Sequence, residues 1–276
     1  MSGPTGGFLG DMARSSAARV ARALREEPAA TLEARARATP AAPPLALSPL
    51  GFDVIAEVKL RSPAAGPLAD AAFDARARVS GYAHAGACAI SVLTEPSRFD
   101  GALEHLRTAA EVLRPLGIPA MRKDFIVDPY QLLEARAAGA GGALLILRML
   151  SASRLEDLLE LARELGLFVL LEAFDRDDLA RAAECVAHHP TGAPALLVGL
   201  NCRDLDTLAV VPERFAELAP LLPAGACTVA ESGVTGPADA QRMRALGYRA
   251  ALIGTALMKC SDPQSLLARI LRAART

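Results

Sequence analysis

From Asp53 onward the chain alternates between short apolar runs and segments of helical spacing. The runs lie at 53–59, 88–93, 118–122, 143–147, 167–172, 195–200, 226–230 and 250–253. Helical patterns follow near 71–86, 102–114, 129–139, 152–165, 176–187, 212–221, 236–246 and 263–274. Apolar runs this short suit strands buried on both faces, as in parallel sheets covered by helices. Eight strand–helix units are the number that closes a barrel, so the pattern predicts an α/β chain built as a (β/α)8 TIM barrel. An open doubly wound sheet competes with this reading, but no GxGxxG follows the first run to support its dinucleotide site.

The 276 residues and 52% hydrophobic content are enough for one such barrel with a sizeable core. Residues 1–50 stand apart. Met12 to Arg37 is rich in Ala, Arg and Glu, with Val20, Leu24 and Leu32 at positions compatible with helix, and Pro40, Pro43, Pro44 and Pro49 then break it. The expected organisation is an N-terminal helical extension with a Pro-rich link over 1–50, packed on a single catalytic domain over 51–276.

A net charge of −1 offers no basic field for nucleic acid. No run approaches the 18 continuous apolar residues of a membrane span, and the N-terminus lacks the pattern of a signal peptide, so a cytoplasmic protein is expected. Cys88, Cys185, Cys202, Cys227 and Cys260 are widely spaced and form no CxxC or Cys/His cluster, which argues against structural zinc and against a disulfide framework. His84, His105, His188 and His189 fall in helical or loop segments, away from the strand ends.

The strand ends carry the chemistry. The first run closes on Glu57 and Lys59, which share a face because side chains alternate along a strand. Alone, such a pair reads equally well as an ion pair solvating a sheet edge. The feature recurs, however, at Arg122-Lys123-Asp124, Glu172, Asn201 with Arg203, Glu231-Ser232-Gly233 and Gly254-Thr255. Barrel active sites lie at the carboxyl ends of the strands, so these fragments share one address. Lysine occurs only at positions 59, 123 and 259 in a chain that otherwise uses arginine. Lysine can give up a proton when desolvated, which arginine cannot.

The runs VIAEVKLRSP (54–63), ISVLTEPSRFDG (90–101), MRKDFIVDPYQLLEARAAGA (121–140), LLEAF (170–174), GLNCRDL (199–205), AESGV (230–234) and LIGTALM (252–258) together resemble the indole-3-glycerol phosphate synthase family. AESG or LIG alone is weak, but RKDF-x-x-DPYQ-x-x-EARAAGA is specific. The resemblance implies conversion of 1-(2-carboxyphenylamino)-1-deoxyribulose 5-phosphate into indole-3-glycerol phosphate, carbon dioxide and water, without metal or organic cofactor. By resemblance Lys123 is the general acid of ring closure, Lys59 a second acid and Glu172 a base. Glu57 would hold or relay protons with Lys59, and Asn201 would act beside them. Arg203, Glu231 and Ser232 match positions that orient the anthranilate part and the sugar hydroxyls, with Phe99 and Phe125 lining the aromatic pocket. Ser62, Gly233, Gly254 and Thr255 match phosphate contacts. A small phosphorylated substrate is thus the implied partner, and other tryptophan-pathway enzymes are candidate partners.

Each residue also has a plainer reading. Arg203 could pair with Asp204 or Asp206 for structure, the glycines could be turn residues, and Phe99 and Phe125 could be core. The sequence departs from the family pattern at Leu60, at Ser62-Pro63-Ala64-Ala65-Gly66 after the first strand, at Phe174 in place of a common histidine, and at Cys202 in place of a second asparagine. These departures leave open a related enzyme acting on a ring-substituted anthranilate. A silent phosphosugar-binding barrel and a Schiff-base aldolase using Lys59 or Lys123 are the remaining alternatives.

Overall fold

A computed structural model describes residues 7–70, 72–205 and 207–276. Asp206, one of the aspartates considered for Arg203, lies outside them. Eight parallel strands close a barrel: β1 (Asp53–Val58), β2 (Ala89–Leu93), β3 (Ala120–Lys123), β4 (Gly142–Ile146), β5 (Phe168–Ala173), β6 (Leu196–Asn201), β7 (Cys227–Glu231) and β8 (Ala250–Ile253). They neighbour one another in chain order, and β1 pairs with β8 through Asp53↔Ala250 to Ala56↔Ile253 to complete the ring.

Two helices precede the barrel: α1 (Gly7–Glu26) and α2 (Ala29–Ala38). The single helical stretch expected over Met12–Arg37 is therefore interrupted, because Pro28 at the start of α2 has no N–H to donate and cannot continue α1. The helices around the barrel are α3 (Ala75–His84), α4 (Leu103–Leu113), α5 (Pro129–Ala137), α6 (Ala152–Glu164), α7 (Arg176–Ala187), α8 (Glu213–Leu218), α9 (Pro237–Ala245) and α10 (Pro263–Arg275).

Their starts are legible locally. Asp128, Pro129 and Gln131 form a capping box with proline at the first helical position of α5. Ser151, Asp175 and Asp262 accept a backbone N–H at the starts of α6, α7 and α10.

Every residue of β1, β2, β4, β5 and β6 is buried, as expected of strands with side chains inside the barrel on one face and helices on the other. One polar inclusion is large: Arg122 on β3 is fully buried, ion-paired to Asp124 and Glu134. At the opposite end of the barrel, Arg275 of α10 binds Asp53 and the Phe52 carbonyl, tying the last helix to the first strand. Arg136 of α5 donates to the carbonyls of Thr39 and Pro40, which docks the link after α2. None of the helices among the described residues is long and apolar enough to cross a membrane.

Candidate active site

A cavity of about 600 Å³ opens at the carboxyl ends of the strands. All fourteen side chains and glycines expected to form a site line it: Glu57, Lys59, Ser62, Phe99, Lys123, Phe125, Glu172, Asn201, Arg203, Glu231, Ser232, Gly233, Gly254 and Thr255. Closure of the barrel brings them together from seven strands or the loops that follow, across some 200 positions of sequence.

Two lysines and the carboxylates they pair with organise the cavity. Lys59, one residue beyond β1, places Nζ 2.7 Å from Glu57 Oε1, with the side chains 14% and 2% exposed. The pair fits because Gly254 follows β8: a Cβ there would stand 2.2 Å from Glu57 Oε1 and 3.0 Å from Lys59 Nζ. Lys123 is the last residue of β3, and its Nζ lies 3.5 Å from Glu172 Oε1 and 3.8 Å from Glu231 Oε2. Glu231 likewise occupies space left by a glycine, since a Cβ on Gly199 would stand 1.9 Å from its Oε1.

Asn201 closes the polar ring. Its Nδ2 donates to Glu172 Oε1, and its Oδ1 accepts the Arg203 backbone N–H at 2.9 Å. Glu172 thus receives an amide donor and an ammonium on one oxygen, which fixes its carboxylate. Arg203 lies beyond β6, where its backbone bridges to Val210 and its Nη1 donates to the Leu208 carbonyl at 2.6 Å. Ser232 follows β7 with φ +64°, and Gly233 has φ +79°. A serine in the left-handed region is uncommon, and such strain collects at functional turns. The loop after β8 enters a short helical segment, Thr255–Lys259, so Gly254 and Thr255 stand at a helix start.

The aromatic wall has a member the sequence reading missed. Phe8 of α1 lines the cavity and packs edge-to-face on Phe125, centroids 5.8 Å apart, while the Phe99 ring lies 6.2 Å from that of Phe125. No local signal marks Phe8; only the docking of α1 over the strand ends brings it there. Phe174 also lines the cavity, its ring covered by the Arg148 guanidinium at 4.6 Å.

The charges are strongly coupled. Burial opposes the positive charge of Lys123, but Glu172, Glu231 and Glu57 outweigh it and raise its pKa above the ordinary lysine value. Burial raises the pKa of Glu231 well above the carboxylate range; the negative charge of Glu172 adds to this and Lys123 only partly offsets it. Neither oxygen of Glu231 has a hydrogen-bond partner among the described residues. The site therefore sets a carboxyl whose proton affinity is raised beside an ammonium whose positive charge is favoured. Among the described residues, no group of three or more His, Cys, Asp or Glu side chains could hold a metal ion.

The family profile for indole-3-glycerol phosphate synthase matches residues 11–270. The chain belongs to that family. It is 46% identical over 220 residues to indole-3-glycerol phosphate synthase of Parafrankia sp. (strain EAN1pec), covering 80% of this chain and 78% of the relative. The corresponding protein of Mycolicibacterium gilvum (strain PYR-GCK) is 42% identical over 255 residues, covering 91% of this chain and 89% of its own. Among solved structures, 3-hexulose-6-phosphate synthase from Salmonella typhimurium superposes with TM-score 0.60 at 12% identity, covering 80% of this chain and 98% of that one. Orotidine 5'-phosphate decarboxylase from Pyrococcus horikoshii OT3 gives 0.58 at 11% identity, covering 81% and 99%. These two likenesses show a shared barrel and nothing of the chemistry.

Proposed function

We propose that this chain is an indole-3-glycerol phosphate synthase, a carboxy-lyase of tryptophan biosynthesis working in the cytoplasm on a small phosphorylated substrate. The observation that carries the reading is the pair of lysines, Lys59 and Lys123, each ion-paired to buried carboxylate at the rim of one cavity.

The substrate, 1-(2-carboxyphenylamino)-1-deoxyribulose 5-phosphate, must close a five-membered ring by attack of the carboxylate-bearing aromatic carbon on the sugar ketone. The ketone oxygen gains negative charge as the carbon–carbon bond forms. Lys123 Nζ donates the proton that turns it into a hydroxyl, and the three surrounding carboxylates keep that ammonium charged until then. The ring carbon then expels its carboxylate as carbon dioxide, and the bonding pair returns to the ring. Lys59 protonates the hydroxyl, which leaves as water, while Glu172 removes the remaining proton to complete the aromatic indole. Substrate equals product plus carbon dioxide and water, so the sequence is redox-neutral. Glu57 holds the Lys59 side chain in place through their ion pair, and Asn201 holds the Glu172 carboxylate in line.

Apolar Phe8, Phe99 and Phe125 suit the anthranilate ring. Arg203 suits its carboxylate before that group leaves. Ser62, Gly233 and the helix start at Gly254-Thr255 suit the phosphate. Glu231 and Ser232 suit the sugar hydroxyls.

The test is a fluorescence progress curve with that substrate, following the indole product. Turnover at an ordinary enzymatic rate is the expected result. Its absence, with inorganic phosphate still bound, would overturn the reading in favour of a silent barrel. Substituted anthranilate analogues competed against the plain substrate decide the exact substrate, and the plain one is expected to prevail.

A further inference from the structure

Asp124 follows Lys123 at the cavity wall, its side chain buried in a knot of charge. Its carboxylate accepts five hydrogen bonds. Arg122 Nη2 donates to Oδ2 at 2.9 Å, Thr94 Oγ1 to Oδ2 at 2.7 Å, and the Phe125 N–H to Oδ1 at 2.8 Å. The other two come from α1: Arg19 donates Nη1 to Oδ2 at 3.0 Å and Nη2 to Oδ1 at 2.7 Å, a two-pronged grip on a fully buried acid. Next to it Ser16 of α1 donates to the Phe125 carbonyl and accepts from Arg19 Nη2 and Gln131 Nε2. The Thr94 N–H holds the Lys123 carbonyl at 3.0 Å.

Residues 122–125 are thus held from two sides. Arg122 and Thr94 belong to the barrel; Arg19 and Ser16 belong to a helix more than a hundred residues away in sequence. Arg122 is neutralised by Glu134 as well as by Asp124, so removing Arg19 leaves the knot with surplus negative charge. The peptide that would relax to relieve it is the one carrying Lys123.

We propose that Arg19 is a positioning residue for Lys123: its fork on Asp124 locks the end of β3, and that lock holds the Lys123 ammonium between Glu172 and Glu231. The proposal rests on the functional reading above, in which Lys123 is the general acid. It gives α1 two separable duties. Phe8 supplies wall to the aromatic pocket, and Arg19 sets catalytic geometry, where an error near 1 Å can cost about a hundredfold in rate.

Lysine is present only at 59, 123 and 259, so protein labelled with carbon-13 at lysine Cε gives one signal for each, assignable by Lys→Arg variants. In Arg19→Ala the Lys123 signal is expected to shift or broaden while those of Lys59 and Lys259 stay. The kcat is expected to fall at least about tenfold with KM within about threefold, a modest share of what misplacement can cost. Arg19→Lys should fail to restore either, because an ammonium cannot reproduce the fork. Phe8→Ala should do the reverse, raising KM and leaving the Lys123 signal in place.

An unmoved Lys123 signal with kcat within twofold of wild type would overturn the proposal and leave α1 a structural cover. If Arg19→Ala does not fold, Arg19→Lys alone returns the same two outcomes. Wild-type protein that fails to turn over the substrate counts against the functional reading instead, while the lysine signals still judge whether Arg19 positions Lys123.

Discussion

Glu172 and Glu231 meet across the Lys123 ammonium, which lies 3.5 Å from one carboxylate and 3.8 Å from the other. Burial first, and then the negative charge of Glu172, raise the pKa of Glu231 well above the ordinary value, because one cation cannot fully compensate two buried carboxylates. A carboxyl with a raised folded pKa contributes most below its unfolded pKa, near 4.3, and loses stability as pH rises toward the folded value. Glu231→Gln should therefore match wild type in thermal midpoint near pH 4 and exceed it at pH 8. A gain of about 2 °C or more corresponds to roughly 1 kcal/mol for a chain of this size. Equal midpoints at both pH values would contradict the shift.

Lys123→Ala removes the proton donor without touching the phosphate end of the cavity. Turnover should drop by about 10²–10⁴, the range for loss of a positioned general acid. Binding of inorganic phosphate, followed by calorimetry, should change less than threefold. Full activity in this variant would withdraw the role assigned to Lys123.

Gly199 and Gly254 leave the volumes that Glu231 and the Glu57–Lys59 pair occupy. Gly199→Ala places a methyl where the Glu231 carboxylate sits, and Gly254→Ala does the same to Glu57. Both variants should fold, with catalysis reduced at least about tenfold, because displaced carboxylates misalign the lysines. Circular dichroism together with kcat separates this outcome from simple misfolding. Wild-type kcat in Gly199→Ala would show that Glu231 has another place to sit.

Asp124→Asn breaks a buried pair with both Arg19 and Arg122 and should destabilise by about 3 kcal/mol in urea unfolding at pH 7. Burial alone would raise the Asp124 pKa, but Arg122 and Arg19 hold it well below the ordinary aspartate value. Its contribution is thus complete above an unfolded pKa of about 3.9 and fades as pH falls below that. The gap between wild type and variant should be constant from pH 5 to 8 and close only in strong acid.

Strand ends, helix starts and the barrel itself are legible because they depend on local pattern. Asp128, Pro129 and Gln131 mark the start of α5, and Glu57 and Lys59 must share a face whatever the surroundings. The expected strands agree with the observed ones to within two residues at their ends. The failure at Pro28 is also local, a proline passed over in a stretch otherwise suited to helix.

What the sequence by itself determined is the list of chemical groups and the period of the chain. Eight alternations suit a closed barrel, and closure brings the polar strand ends together. What only the tertiary structure decided is which groups share charge. That Lys123 answers to both Glu172 and Glu231, that Gly199 makes room for a carboxylate on the next strand, that Phe8 reaches the cavity and that Arg19 reaches Asp124 are relations between distant residues. They depend on strand register and helix docking to within an ångström. Electrostatic coupling and steric fit act through space, and no local pattern carries that information.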